Sequence, residues 1–251
     1  MNLTAIVLAA MGGGRLERSL ASVAWAEERI VLDPAARHDA PAVPPGVGHV
    51  ARAAGLGELG SAPWLLLLLE GELASPGLDE VLGRTLAEPS AVTAFGLPLE
   101  LHALGAQWTS RRAPVRLAAR AAARLVVRDG RPELAGQGRM LAGTAGIVAE
   151  ASPSLEEAVR ALDAECGAMA AWLVAGSSRV RLGHLMLPPL ATMLRALAAR
   201  GTSIRPWARW VAAVFAGYRA LLVPAKVWEL RQRAAVAPAP LAGDSVRRAE
   251  A

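Results

Sequence analysis

The 251-residue chain has one cysteine, Cys166, and one lysine, Lys226, among its 27 basic residues. A lone cysteine excludes an intrachain disulfide framework and any cysteine-rich zinc site, and it suits a reducing cytosol. Every other basic residue is arginine and alanine is abundant. That bias reads as the imprint of a GC-rich genome, so the basic pI alone is no sign of a nucleic-acid partner. No run approaches the ~18–20 apolar residues of a membrane span, and PWLLLLLE (63–70) is short enough to be a buried strand. The histidines, His38, His49, His102 and His184, are scattered without metal-ligand spacing. No serine sits in a nucleophile elbow, and no internal repeat is visible. Residues 1–10 lack a basic n-region and a cleavage site, so they are expected to form a buried strand and not a signal peptide.

What is present is core-forming material: 53% hydrophobic residues and a mean hydropathy of +0.33. This suffices for one large α/β domain, alone or with a small appendage. Charge is distributed unevenly. Residues 186–233 hold seven arginines and Lys226 against Glu229, a net +7, while the whole chain is +5. The basic character therefore belongs to the C-terminal part.

Periodicity gives the element order. Leu3–Ala10 reads as a buried parallel strand, Gly12 to Gly14 as a turn, and residues 15–24 as a short helix with Leu16, Leu20 and Val23 on one face. Arg29–Asp33 is a second strand ending in an acid, followed by a proline-rich loop. A helix is expected in VARAAGLGELGSA (50–62), weakened by Gly55, Gly57 and Gly60 at about 1 kcal/mol each. Trp64–Glu70 is a central strand, Pro76–Glu88 an amphipathic helix and Val92–Leu101 another strand. RLVVRDGRPEL (124–134) reads as a hairpin turning at Asp129-Gly130. Ser154 and Glu157 match a capping box, opening a helix with an apolar stripe through Leu155, Val159, Leu162, Cys166, Met169 and Leu173, ended by Gly176. A final helix is expected over Pro206–Gln232, kinked at Pro224. Its stripe of Trp207, Trp210, Val211, Val214, Tyr218, Leu221 and Leu222 is flanked by Arg205, Arg209, Arg219 and Lys226, which suits an interfacial membrane helix. Strand–helix alternation implies a mostly parallel sheet with helices on its faces. The partition expected is an α/β domain over 1–185, basic helices over 186–233 and a disordered tail over 234–251.

Four stretches, in this order and spacing, give the chain a resemblance to family-2 glycosyltransferases, in particular the lipopolysaccharide-core glucosyltransferase-like branch. LERSLASVAWAEERIVLD (16–33) resembles that branch's first helix, W-A-[DE]-E turn and second strand. GSAPWLLLLLEGELASPGLDEVL (60–82) is similar to its G-D-W-[VI]-L-x-L-D-A-D-E segment, ASPSLEEAVRAL (151–162) to its Y-x-[SD]-L-x-E-Y motif, and RPWARWVAAVFAGYRALLVPAKVWEL (205–230) to its C-terminal helices. The resemblance implies a GT-A fold, a nucleotide-sugar donor with UDP the foremost candidate, inverting transfer, and a glycan or lipid acceptor of the cell envelope at the inner membrane face. No nucleic-acid partner is expected.

Where that family has T-K-N-E-E, this chain has Ala9, Ala10, Met11, Gly12 and Gly13. The polar side chains for the nucleotide are gone, although glycine amides at a helix start still cradle phosphate. Asp33 holds the position of an acid that the resemblance assigns to uridine or ribose. Glu70-Gly71-Glu72 stands at the D-x-D position, where Glu70 and Glu72 would bind Mg²⁺ or Mn²⁺ against the diphosphate. The extra methylene of each glutamate loosens that geometry by about 1 Å, enough to cost ~100-fold in rate. The resemblance places the general base of an inverting transfer near 129–140, where the chain offers Asp129 and Glu133; Glu133 is the candidate, and it also reads as a surface residue.

Two alternatives stay open at this point. LAAMGGGRL (8–16) approaches the LAAGxGxRL loop of sugar nucleotidyltransferases, but Met11 replaces a glycine and no lysine follows the loop to meet a triphosphate. A GT-A-fold scaffold that has lost transfer activity also accounts for the missing N-E-E and the altered D-x-D.

Overall fold

Residues 3–8 (LTAIVL) contain no turn former and are buried along their whole length, as a strand covered on both faces must be. The computed structural model describes residues 2–35, 43–51, 55–88, 91–103, 106–109, 113–128, 131–136, 138–141, 143, 145–150, 152, 154–175, 183–198 and 206–236. In chain order the elements are β1 (Leu3–Leu8), α1 (Gly14–Ser22), β2 (Glu28–Leu32), β3 (Gly48–Val50), β4 (Trp64–Leu69), β5 (Glu72–Ala74), α2 (Leu78–Ala87), β6 (Ala94–Gly96), β7 (Leu99–Ala103), β8 (Ala106–Thr109) and β9 (Val115–Ala119). There follow β10 (Leu125–Arg128), β11 (Arg131–Leu134), β12 (Arg139–Met140), β13 (Ile147–Ala149), α3 (Leu155–Ala175), α4 (Gly183–Ala198) and α5 (Pro206–Val236).

Seven strands make the central sheet in the order β12-β6-β9-β4-β1-β2-β3. Only β9 runs against the rest, pairing antiparallel with both β4 and β6. The five leucines of β4, Leu65 to Leu69, alternate between two cores. Leu66 and Leu68 face α1 and α2 through Leu16, Leu20, Leu78 and Leu82. Leu65, Leu67 and Leu69 face α3 and α5 through Leu162, Cys166, Met169 and Val223. Helices on both faces of a mostly parallel sheet, with helices closing the C-terminus, form the α/β arrangement that the resemblance implies. A four-stranded sheet, β5-β13-β7-β8, and the β10–β11 hairpin complete the fold.

β1 is the pivot of the topology. It pairs in parallel with β2 on one side and β4 on the other, and the chain crosses from β3 back over β1 to begin β4. Adjacent parallel strands that leave in opposite directions open a crevice at their carboxyl ends, where α/β folds take ligands. At the opposite end Glu28 of β2 ties β1 to the segment leading into β4, accepting from Thr4 Oγ1 at 2.7 Å and from the Ser61 amide at 2.7 Å. These bonds, the Thr4 hydroxyl first, hold the Glu28 carboxyl below its ordinary pKa.

Several local expectations need correction. The helix expected over 50–62 is absent from the described residues there: Val50 ends β3, and only Leu56–Glu58 form a single 3₁₀ turn. Three glycines in six residues remove the propensity, and Gly60 adopts φ 72°. The strand expected over Val92–Leu101 is two strands in different sheets, β6 and β7, broken at Leu97-Pro98. Proline brings no amide to a ladder, so the chain changes sheets there. The hairpin is present, with Asp129 and Gly130 outside the described residues. Ser154 caps α3 by accepting from the Glu157 amide at 3.1 Å. Gly176, His38 and the tail from 237 onward also lie outside the described residues. Cys166 is buried in the second core, where desolvation pushes its thiol up to about 12.

α5 is one 31-residue helix running through Pro224 to Val236. By length and composition alone Trp210–Ala235 is apolar enough to cross a membrane, which corrects the expectation that no segment qualifies. Its flanking charges also differ from expectation. Arg219 and Lys226 turn inward to pair with Glu165 and Asp163 of α3, at 2.7 and 2.8 Å, and so pin α5 to the domain. The stripe of Trp207, Trp210, Val214, Tyr218 and Leu221 is exposed, joined by Leu190 and Leu194 of α4.

Candidate functional site

The crevice between the ends of β1 and β4 is bridged by a side chain. Glu70, the first residue after β4, extends its carboxylate into the turn after β1 and accepts from three successive amides. These are Ala10 at 2.7 Å, Met11 at 2.8 Å and Gly12 at 2.9 Å to each oxygen. Positive φ at Gly12 (83°) and Gly13 (73°) turns the amides toward one point, as an anion nest requires. The glycine loop is therefore an anion site in which the anion is the chain's own Glu70.

Glu72 is committed as well. It is buried, accepting from the Leu69 amide at 2.9 Å and from Arg116 Nη2 at 2.7 Å. Arg116 on β9 is wholly buried and donates its other terminal nitrogen to the Pro132 carbonyl at 2.8 Å, while its Nε has no hydrogen-bond partner. A divalent cation at this pair would have to strip Glu70 from three amides or Glu72 from its guanidinium. As arranged, Glu70 and Glu72 do not fit a Mg²⁺ or Mn²⁺ site, and the described residues include no cluster of three or more His, Cys, Asp or Glu able to hold a metal. Both carboxylates are taken up by local partners in this arrangement.

Gly71, between them, has φ 84°, and the Arg15 guanidinium crosses where a Cβ would stand. Its amide donates to Ser19 Oγ at 2.9 Å, and its carbonyl accepts from the Glu150 amide at 2.8 Å. Absence of a side chain here lets Arg15 of α1 reach over the β4 turn.

Beside this turn lies a cavity of about 170 Å³. Its walls come from the β4 turn, from His102 on β7, Arg131 on β11, Glu150 and Ser152, from the start of α3 to Glu165, and from Phe215 and Arg219 on α5. Glu165 and Arg219 pair at 2.7 Å, with Glu165 Oε1 and Arg219 Nε buried and lacking a further hydrogen-bond partner. Arg18 closes on Glu150 with two bonds, 2.5 and 3.0 Å. His102 Nε2 lies 2.7 Å from Glu100 Oε1. Burial, then the neighbouring Arg219 guanidinium, pushes Arg131 down to about 10, which leaves it charged at neutral pH.

The remaining sequence-derived candidates fall as follows. Asp33 ends β2 at the same sheet edge, buried, with its amide on the Val50 carbonyl, and it is not part of the cavity wall. Ala9 is buried, with its amide on the Leu32 carbonyl, so it presents nothing to the crevice. Met11 is exposed at the loop tip and Gly13 is the N-cap of α1. Glu133, expected as a surface residue and base, is instead buried in the β10–β11 hairpin and absent from the cavity wall. It pairs across the hairpin with Val126 in register.

Sequence reasoning missed Arg15, Arg116, Arg131, Arg219, Glu165 and His102. Arg116 carried a signal: it lies between Val115 and Leu117 in an apolar run, where a charge needs a buried partner.

No protein-family model matches the chain, and no curated protein matches it significantly. Among solved structures it is similar to the S. aureus TarS 1-349 crystal structure at 10% identity, covering 93% of this chain and 92% of that one, with a TM-score of 0.41. A second crystal structure of S. aureus TarS matches at 10% identity over 91% of this chain and 55% of that one, with a TM-score of 0.37. Both likenesses are loose, and the functional reading rests on the crevice itself.

Proposed function

We propose that the chain is a glycosyltransferase of the family-2 type, passing a sugar from a nucleotide-sugar donor, UDP-linked, to a glycan or lipid acceptor of the cell envelope. One observation carries the reading. The turn after β1, Asp33 after β2 and the Glu70-Gly71-Glu72 turn after β4 converge at the carboxyl ends of adjacent parallel strands, beside a cavity at the switch point of the sheet. The four family-like stretches supply those same segments. The lipopolysaccharide-core branch is the part of the reading that rests on sequence alone.

The transfer asks for little from the protein. An acceptor oxygen bonds to the anomeric carbon as the bond from that carbon to the phosphate oxygen breaks. The electron pair leaves on the diphosphate, and the acceptor proton passes to a base. His102 is better situated than Glu133 for that base, being on the cavity wall with Glu100 beside one ring nitrogen. Calorimetric titration of UDP and UDP-sugars is the test. Micromolar to millimolar binding is expected, followed by turnover in an acceptor screen that falls ~100-fold in His102→Ala. Failure to bind any nucleotide rejects the reading and favours a GT-A-fold scaffold without activity, which the self-filled anion nest would also suit.

The membrane surface is part of the same proposal. The exposed Trp207, Trp210, Val214, Tyr218 and Leu221 stripe on α5 is the kind that beds into the headgroup region, and the basic residues of 186–233 other than Arg219 and Lys226, which pair with α3, would add about 1 kcal/mol each near anionic lipid. Co-sedimentation with vesicles containing phosphatidylglycerol is expected at low salt, reduced several-fold in Trp207→Ser/Trp210→Ser. Indifference to anionic vesicles rejects the membrane part and leaves the stripe to a protein contact.

A further inference from the structure

We propose that the cavity is a metal-free diphosphate site in which Arg15 and Arg131 take the charge that a divalent cation would otherwise neutralise. The inference deepens the nucleotide-sugar reading and rests on it for the identity of the ligand. It begins from an accounting of charged groups. Four carboxylates line the cavity, and each is already engaged: Glu70 by three amides, Glu72 by Arg116 and the Leu69 amide, Glu150 by Arg18, and Glu165 by Arg219. Two guanidinium groups on the wall are left over. Arg131 makes no side-chain hydrogen bond or ion pair among the described residues, and Arg15 has only a long contact to Ser152 Oγ at 3.4 Å. Arg219 and Arg116 sit close enough for their charges to oppose that of Arg131, while Glu165 and Glu72 favour it without bonding to it.

Because amides leave the Glu70 charge in place, Arg15, Arg18, Arg116, Arg131 and Arg219 exceed the four carboxylates by one, and a surplus charge in a partly enclosed site is costly unless an anion joins it. The forked guanidinium offers paired donors matched to phosphate oxygens, which the lone lysine of this chain, Lys226, does not supply here. Lys226 is on α5 facing Asp163. Size points the same way. Pockets for whole organic ligands usually run to ~300–1,000 Å³, whereas this cavity is about 170 Å³ and suits a diphosphate with the remainder of the donor outside it. Glycine at position 71 is what admits Arg15 to the site, since a Cβ there would collide with the guanidinium. A leaving diphosphate held by two arginines needs no metal to stabilise its charge.

The test is calorimetric titration of pyrophosphate and of UDP, each in EDTA and in Mn²⁺, with wild type, Arg131→Ala, Arg131→Lys and Arg15→Ala. Binding in EDTA is expected for wild type, weakened about tenfold or more by Arg131→Ala or Arg15→Ala, with Arg131→Lys between. Arg131→Lys keeps the charge and serves if the alanine variant does not fold, as judged by circular dichroism. Binding that needs Mn²⁺, or that is indifferent to both arginines, overturns the inference and leaves the nucleotide reading standing if UDP still binds. Pyrophosphate bound through both arginines without any affinity for UDP has the opposite meaning: the anion site stands and the nucleotide reading falls.

Discussion

Arg116→Met is expected to destabilise the protein by about 3–5 kcal/mol, the cost of leaving Glu72 buried without its counter-charge. Glu72 is buried, and it retains only the Leu69 amide once the guanidinium is gone. The same substitution releases the Pro132 carbonyl, so β9 loses its side-chain tie to β11. For a chain of this size the loss corresponds to a fall of roughly 10 °C in melting temperature. The double variant Arg116→Met/Glu72→Leu should recover most of the loss, since the pair gains little over apolar packing and Arg116 Nε is already buried without a partner. Thermal and urea denaturation of the two variants measure this. A single variant within 1 kcal/mol of wild type, or a double variant no better than the single, would show that the pair is not the buried unit described.

Glu70→Ala is expected to convert the glycine turn from a self-filled nest into an open one. Three amides lose their acceptor, which costs about 1–3 kcal/mol of stability if water replaces the carboxylate poorly. The same amides then become available to an external anion next to Arg15. Two new amide–phosphate bonds at about 0.7–1.4 kcal/mol each total about 1.4–2.8 kcal/mol, so pyrophosphate affinity should rise roughly ten- to hundredfold over wild type in EDTA. Glu70→Gln separates charge from shape, since it keeps one oxygen for the amides and removes the negative charge that repels phosphate. Its affinity should fall between wild type and Glu70→Ala. An alanine variant that binds pyrophosphate more weakly than wild type would mean that Glu70 holds the loop in the form that accepts a ligand, and the nest would then be structural.

The sequence revealed the fold better than the site, and the reason is physical. Strands β1, β2 and β4 and helices α1, α2, α3 and α5 announce themselves by period and by caps, because burial repeats along a regular element. The Ser154 cap was legible from two residues three apart. Glu70 and Glu72 stand at the crevice, but their partners are not legible in the sequence. Glu70 meets amides some sixty residues earlier and Glu72 meets Arg116, 44 residues later. Backbone amides have no signature in a sequence, and an arginine-rich chain offers many candidates for one carboxylate. Glu133 is an acid in the stretch where the family resemblance expects a base and reads as a surface residue, yet it is buried in the β10–β11 hairpin. The α5 flank misled in a similar way: Arg219 and Lys226 sit beside the tryptophans in sequence and point to α3 in space.

α5 presents two faces with different partners. Its inner face brings Phe215 and Arg219 to the cavity, and its outer face exposes Trp207, Trp210 and Tyr218. Residues only four apart, Phe215 and Arg219, form one wall of the site, while Val214 and Tyr218 lie on the exposed stripe. A rigid helix cannot shift one face without the other. Thermodynamic linkage follows: whatever settles on the outer stripe and moves α5 changes affinity in the cavity by a factor that the cavity's ligand must return, in equal measure, to the stripe.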